Sequence, residues 1–184
     1  ADIGSGSTAT NFLGRSLYSG DHYFYGAFAD FQIWDGALTP EEIAATVPKQ
    51  VLWYPFSDDP GSTAIADASG NNNSAVAKGG VALNGTIAQL DGDDDYIDLP
   101  DNVLANLDEI TVMTKVLIET DQVSPYFIYG LGNTSGANGN GYLFTTGNYY
   151  RTTLSSCNWS CEQTVGASNK SIPRGDWQHL AYTL

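Results

Sequence analysis

The sequence predicts an all-β chain folded as a two-sheet antiparallel sandwich or jelly roll with one short helix. Short aromatic and β-branched runs recur along the 184 residues and are broken by Gly, Asn and Asp. Composition agrees: 20 Gly and 11 Tyr stand beside a single Met and 7 Lys plus Arg, and helix-forming stretches are nearly absent. Many short strands at regular spacing are the pattern of sandwiches and jelly rolls. The length allows one well-buried domain or two very small ones.

Taken in order, Phe24 to Trp34 (FYGAFADFQIW) alternates aromatic and apolar with small or polar residues and predicts a strand with one buried face. Ala37 to Ala45 (ALTPEEIAA) predicts the helix: Thr39 can cap it, Pro40 fits the first turn, and Glu41 and Glu42 suit its positive end. Val47 to Gln50 reads as a linker and Val51 to Phe56 as a strand. Ser57 to Gly80, containing DASGNNNS, reads as a polar loop. Val81 to Leu90 predicts a strand pair or a strand and turn. Asp91 to Pro100 (DGDDDYIDLP) predicts a turn running into a short strand, and Val103 to Leu107 one helical turn. Ile110 to Glu119 is the clearest strand. Tyr126 to Gly130 and Tyr142 to Thr145 flank the Gly/Asn loop Asn133 to Gly141, and Tyr149 to Leu154 and Trp177 to Leu184 complete the set. Trp34, Trp53 and Trp177 are the expected core anchors.

Charge excludes several functions. The 7 Lys plus Arg against 21 Asp plus Glu give a net −14, which argues against nucleic acid and against an anionic membrane surface. No apolar run approaches the ~20 residues that cross a bilayer. Ala1 to Thr10 is small and polar, unlike a signal peptide, so any targeting segment is expected to have been removed or to lie elsewhere. The two cysteines, Cys157 and Cys161 in CNWSC, lack zinc-site spacing and a nearby His, and predict a local disulfide. Asn-x-Ser/Thr sequons at Asn72, Asn84, Asn133, Asn158 and Asn169 fit an oxidising, extracellular (secreted) glycoprotein.

Four stretches carry a family resemblance. GRSLYSGDHYFYGAFADFQIWDGALTPEEIAA resembles the C-terminal end of a laminin-G-like, concanavalin-A-like jelly roll, with its Gly-Arg-Ser turn and short acidic helix. VLWYPFSDDPGSTAIADASGNNNSAVAKGG is similar to the family's N-terminal end, LDGDDDYIDLPDN to a following strand, and ITVMTKVLIE and RGDWQHLAYTL to middle strands. The order is reversed: residues 1–47 resemble the family's C-terminal part and 51–184 its N-terminal and middle part. The strand pair that would join HLAYTL to the GRS turn is missing. A permuted single jelly roll over 1–184, a cut chain, and the tail of one module followed by most of the next all fit. One compact sandwich is expected, because Phe31, Ile33 and Trp34 need a sheet to bury them.

The chemistry-bearing residues point to binding rather than catalysis. No strand shows the alternating acids of glycosidases that share this fold, although distant acids brought together would restore that option. Asp91, Asp93, Asp94, Asp95, Asp98 and Asp101 read as a solvated or metal-binding loop. His22 and His179 lie near no nucleophile elbow. The resemblance implies one structural calcium ion, whose candidate ligands by position are Asp30, Asp58, Asn71 and Asn73. Aromatic rings that stack on sugar C–H faces, with polar groups for the hydroxyls, occur on two segments. These are Asn148, Tyr149, Tyr150 and Arg151 with Trp159 held in the disulfide loop, and Tyr18, Asp21, His22 and Tyr23. Arg15 of the GRS turn is expected to be structural. The expected function is a non-catalytic, lectin-like carbohydrate-binding module. By resemblance it would accompany a catalytic domain of a secreted glycoside hydrolase, and its partner would be a polysaccharide or glycan. A glycoside hydrolase of the same fold and a protein-interaction or adhesion module are the alternatives.

Overall fold

The computed structural model describes residues 10–45, 50–133, 141–166 and 170–184. The described chain begins with β1 (Thr10–Leu13) and β2 (Tyr25–Asp35), then helix α1 (Pro40–Ala45). It continues through β3 (Gln50–Tyr54), β4 (Ala64–Ile65), β5 (Ala75–Lys78), β6 (Ala82–Leu83), β7 (Ala88–Asp91) and β8 (Tyr96–Asp98). There follow β9 (Ile110–Ile118), β10 (Phe127–Gly132), β11 (Tyr142–Thr146) and β12 (Arg151–Ser155). After them come a 3-10 turn at Trp159–Cys161, β13 (Gln163–Gly166) and β14 (Trp177–Thr183).

These strands form two antiparallel sheets packed as a sandwich. An eight-stranded sheet runs β13-β12-β11-β10-β1-β8-β5-β4, and a six-stranded sheet runs β14-β9-β2-β7-β6 with β3 paired to β2. Residues before the 46–49 stretch supply an interior strand to each sheet. β1 lies between β10 and β8, and β2 pairs with β9, β7 and β3. The core fills the space between the sheets with Leu13, Phe28, Phe31, Ile33, Leu52, Val112, Val116, Ile128, Leu131 and Leu143. Truncating a fully buried ring such as Phe31 would cost ~3–5 kcal/mol.

Local chemistry explains the elements. On β9, Ile110, Val112, Val116 and Ile118 alternate inward as a strand period requires. β2 changes phase at a β-bulge between Phe28 and Asp30. The extra residue lets Phe28, Phe31 and Ile33 all reach the core while Asp30 and Gln32 point away from it. Helix α1 opens on a capping box: Glu42 N donates to Thr39 Oγ1 at 3.2 Å, and Thr39 N donates to Glu42 Oε2 at 2.8 Å.

The structure corrects several expectations. The polar stretch 57–80 carries β4 and β5, because Ile65, Ala75 and Ala77 insert into the core. Residues 103–107 form turns, not a helical turn, since Asn102 just before them and Asn106 within them take positive φ. Of the tryptophan anchors, Trp34 is buried, but Trp53 and Trp177 face away from the core. Alternation puts Leu52 and Tyr54 inward on β3, and Leu180 and Tyr182 inward on β14, which leaves Trp177 outside under the Lys115 ammonium. The short strands β1 and β13 carry too few residues to show a period. Of the expected linker 47–50, Gln50 instead opens β3, paired with Trp34, and residues 47–49, like most of the loop 133–141, lie outside the described residues.

Candidate functional site: an aromatic cleft on the eight-stranded sheet

Strands β10 and β11 are buried along their whole length, which means that both of their faces are covered. Ile128, Leu131 and Leu143 face the core, whereas Phe127, Tyr142 and Phe144 form a second cluster with Leu17 on the opposite face. The rings of Phe127 and Phe144 lie 4.4 Å apart, Tyr142 stacks on Phe144 at 5.4 Å, and Tyr18 meets Tyr142 edge-on at 6.1 Å. This aromatic floor lines a cleft of about 370 Å³, within the range of small-molecule sites.

Three loops raise its walls. The turn joining β11 to β12 starts at Gly147, where a Cβ would lie 2.1 Å from the Tyr126 hydroxyl, so only glycine lets the chain pass there. That turn delivers Asn148 and Tyr149 to the cleft and ends with Tyr150 in the left-handed region at φ 46°. The second wall is the Cys157–Cys161 disulfide loop, with Cα atoms 5.8 Å apart. Asn158 Oδ1 accepts from Ser160 N at 2.9 Å and from Ser160 Oγ at 2.6 Å, which caps the 3-10 turn and holds Trp159 outward at 70% exposure. Glu162, directly after Cys161, ties that loop to the floor. It accepts from the Tyr142 hydroxyl at 2.7 Å and pairs with Arg151 Nη2 at 3.7 Å. The third wall is the turn after β1, where Ser16 Oγ donates to Asp21 Oδ2 at 2.6 Å and accepts from Tyr18 N at 3.0 Å.

Burial, followed by the proximity of Tyr18 and Glu162, pushes the Tyr142 hydroxyl well above its ordinary pKa, so it stays a donor. Two polar atoms of cleft residues are buried without a hydrogen-bond partner among the described residues, Asn148 Oδ1 and Arg151 Nε. One accepts and the other donates. The Arg151 guanidinium lies over the Phe144 ring at 4.9 Å. The exposed indole of Trp159 and phenol of Tyr149 can stack on an apolar face, and the polar side chains of Asp21 and Asn148 line the same cleft.

The cleft unites the two aromatic segments of the sequence: Tyr18 and Asp21 from one, Asn148, Tyr149, Arg151 and Trp159 from the other. Tyr150, His22 and Tyr23 do not line it. The left-handed turn sends Tyr150 to the seam between the sheets, beside Tyr129 and Leu180. His22 is exposed and bridges Tyr126 through its backbone, and Tyr23 faces Tyr96 at 6.3 Å. The Arg15 guanidinium lies over Phe12 and Tyr96, also outside the cleft. Sequence reading missed Pro125, Phe127, Phe144, Thr146 and Glu162. A strand covered on both faces gives no alternation to say which ring faces outward.

Each of the four expected calcium ligands makes hydrogen bonds within the protein, the two Asp as acceptors and the two Asn as donors. Asp30 accepts from Trp53 Nε1 at 2.8 Å and Gln32 Nε2 at 2.5 Å, and burial, only partly offset by those bonds, raises its pKa. Asp58 Oδ1 accepts from Ala66 N at 3.0 Å. The Asn71 and Asn73 amides both donate to the Val51 carbonyl. Hydrogen atoms directed at both Asp30 oxygens and at Asp58 Oδ1 occupy those positions with hydrogen bonds. The nearby organiser is Asp67, which accepts from the backbone N–H groups of Trp53, Ser69 and Asn73 and from Ser69 Oγ. Burial raises its pKa, but these bonds outweigh it and the net shift is downward. In the acidic loop, Asp91, Asp94 and Asp95 bring carboxylate oxygens within 4.8 Å of one another. Asp95 is buried and held by the N–H groups of Gly80 and Asp91.

Fold and cleft define an all-β sandwich with an aromatic site on one outer face. Among the described residues no helix is long and apolar enough to cross a membrane. No protein-family model, curated protein or solved structure matches the chain.

Proposed function

We propose that this chain is a non-catalytic carbohydrate-binding module of a secreted protein and that its glycan sits in the cleft. The observation that carries the reading is the pairing of outward aromatic faces with buried, unpartnered polar atoms. Trp159 and Tyr149 are 70% and 55% exposed, while Asn148 Oδ1 and Arg151 Nε lack a protein partner in the same cleft. The disulfide supports an oxidising compartment. The laminin-G-like resemblance supports a role beside a glycoside hydrolase.

The test is affinity electrophoresis and calorimetry against a panel of soluble polysaccharides. Trp159→Ala is expected to weaken binding at least about tenfold with Tm unchanged, as loss of an exposed stacking ring requires. Binding to no glycan would overturn the reading. One observation favours a hydrolase as second reading: Asp21 and Glu162 line the same cleft. Reducing ends released by the wild type and lost in Asp21→Asn would establish it. Structural calcium is tested in the same samples. A chelator that lowers Tm reversibly would support an ion, and an unchanged Tm would remove it from the proposal.

A further inference from the structure

We infer that the cleft selects uncharged glycans and rejects acidic ones, those bearing uronate or sulfate groups. This rests on the glycan-binding reading above and names the substrate class of that site. Among the residues lining the cleft, Arg151 is the one cation, against two carboxylates, Asp21 and Glu162. That cation is partly offset already: Nη2 faces Glu162 at 3.7 Å, and the guanidinium lies over Phe144 at 4.9 Å. A ligand carboxylate approaching it would face both acids within a molecule of net charge −14.

The same two acids suit a neutral polyol. Asp21 commits Oδ2 to Ser16, which leaves Oδ1 to accept a ligand hydroxyl in a charge-assisted bond. The Asn148 amide lines the same cleft and offers a neutral group able to donate and to accept. Trp159 and Tyr149 accept the apolar face of a sugar ring of either charge, so discrimination falls to the carboxylates.

The experiment compares neutral glucans, xylans, mannans and galactans with polygalacturonate, alginate and heparin at low and at high salt. Acidic polymers are expected to bind at least about tenfold more weakly than the best neutral one at low salt, with the gap narrowing as salt rises. Glu162→Gln keeps an oxygen for the Tyr142 hydroxyl while removing one charge. In that variant, and separately in Asp21→Asn, acidic polymers are expected to gain affinity several-fold, whereas the neutral ligand loses a charge-assisted bond in Asp21→Asn and is expected to weaken there. Acidic polymers binding as tightly as neutral ones would overturn the inference and leave the glycan reading standing. Acidic affinity unmoved in both variants would also overturn it. Silence across the whole panel would bring down the glycan reading, and this inference with it.

Discussion

The outward faces of the two sheets use the same kinds of residue and reach opposite ends. On the six-stranded sheet, Asp30, Trp53, Gln32 and Gln50 form a hydrogen-bonded chain within the protein. Gln50 donates to Gln32 at 2.8 Å, Gln32 to one Asp30 oxygen, and Trp53 to the other. On the eight-stranded sheet, Asn148, Arg151, Trp159 and Glu162 surround a cleft and leave a buried acceptor and a buried donor unmatched within the protein. An indole beside a carboxylate is therefore no signature by itself. What separates glue from a binding site is whether the polar atoms are already satisfied.

The largest loss of stability is expected at Asp30. Asp30→Ala strands the Trp53 and Gln32 N–H groups, and is expected to cost about 2–3 kcal/mol in denaturant unfolding while leaving glycan affinity unchanged. Asn148→Ala should do the converse, with affinity falling about tenfold at constant Tm, because its amide oxygen supports nothing within the protein. A parallel loss of stability in Asn148→Ala would show that the cleft is structural like its counterpart. Replacing Cys157 and Cys161 together by Ser should lower affinity a few-fold with a smaller change in Tm. The loop it closes is short, and what it anchors is Trp159.

The smallest expected effect is in pH dependence. Asp30 has its pKa raised by burial above the ordinary 3.8, so the folded protein binds its proton more tightly than the unfolded chain does. Its contribution to stability is present at low pH and is lost as pH rises through the folded pKa. Asp95, raised first by burial, acts in the same sense, and Asp67, with its pKa lowered, acts in the opposite one. Asp30→Asn should therefore flatten the decline in Tm between about pH 4 and 7 relative to wild type. A steeper decline would mean that the Trp53 and Gln32 bonds outweigh burial.

Much of this was legible before any coordinates. β9 announced itself by a clean two-residue period, α1 by Thr39 and its glutamates, and the disulfide by an isolated pair of cysteines. Six of the nine expected cleft residues meet in one place, although Tyr18 and Trp159 are far apart in the chain. Phe127 and Phe144 escaped notice because their strands are apolar on both faces, and Glu162 because a lone acid after a cysteine has no pattern.

By itself the sequence determined the strand-rich architecture, the places where the chain turns, and the stock of aromatic and amide groups on its loops. Those properties are local: side-chain period, turn chemistry and capping are set by residues a few positions apart. The tertiary structure alone decided which tryptophan is buried, which carboxylate is satisfied and which amide is left over. A one-residue bulge in β2 turned Asp30 away from the core, and a left-handed turn took Tyr150 out of the cleft that Tyr149 lines. Each outcome depends on what the opposite strand or sheet presents, and that is known only once the chain has closed.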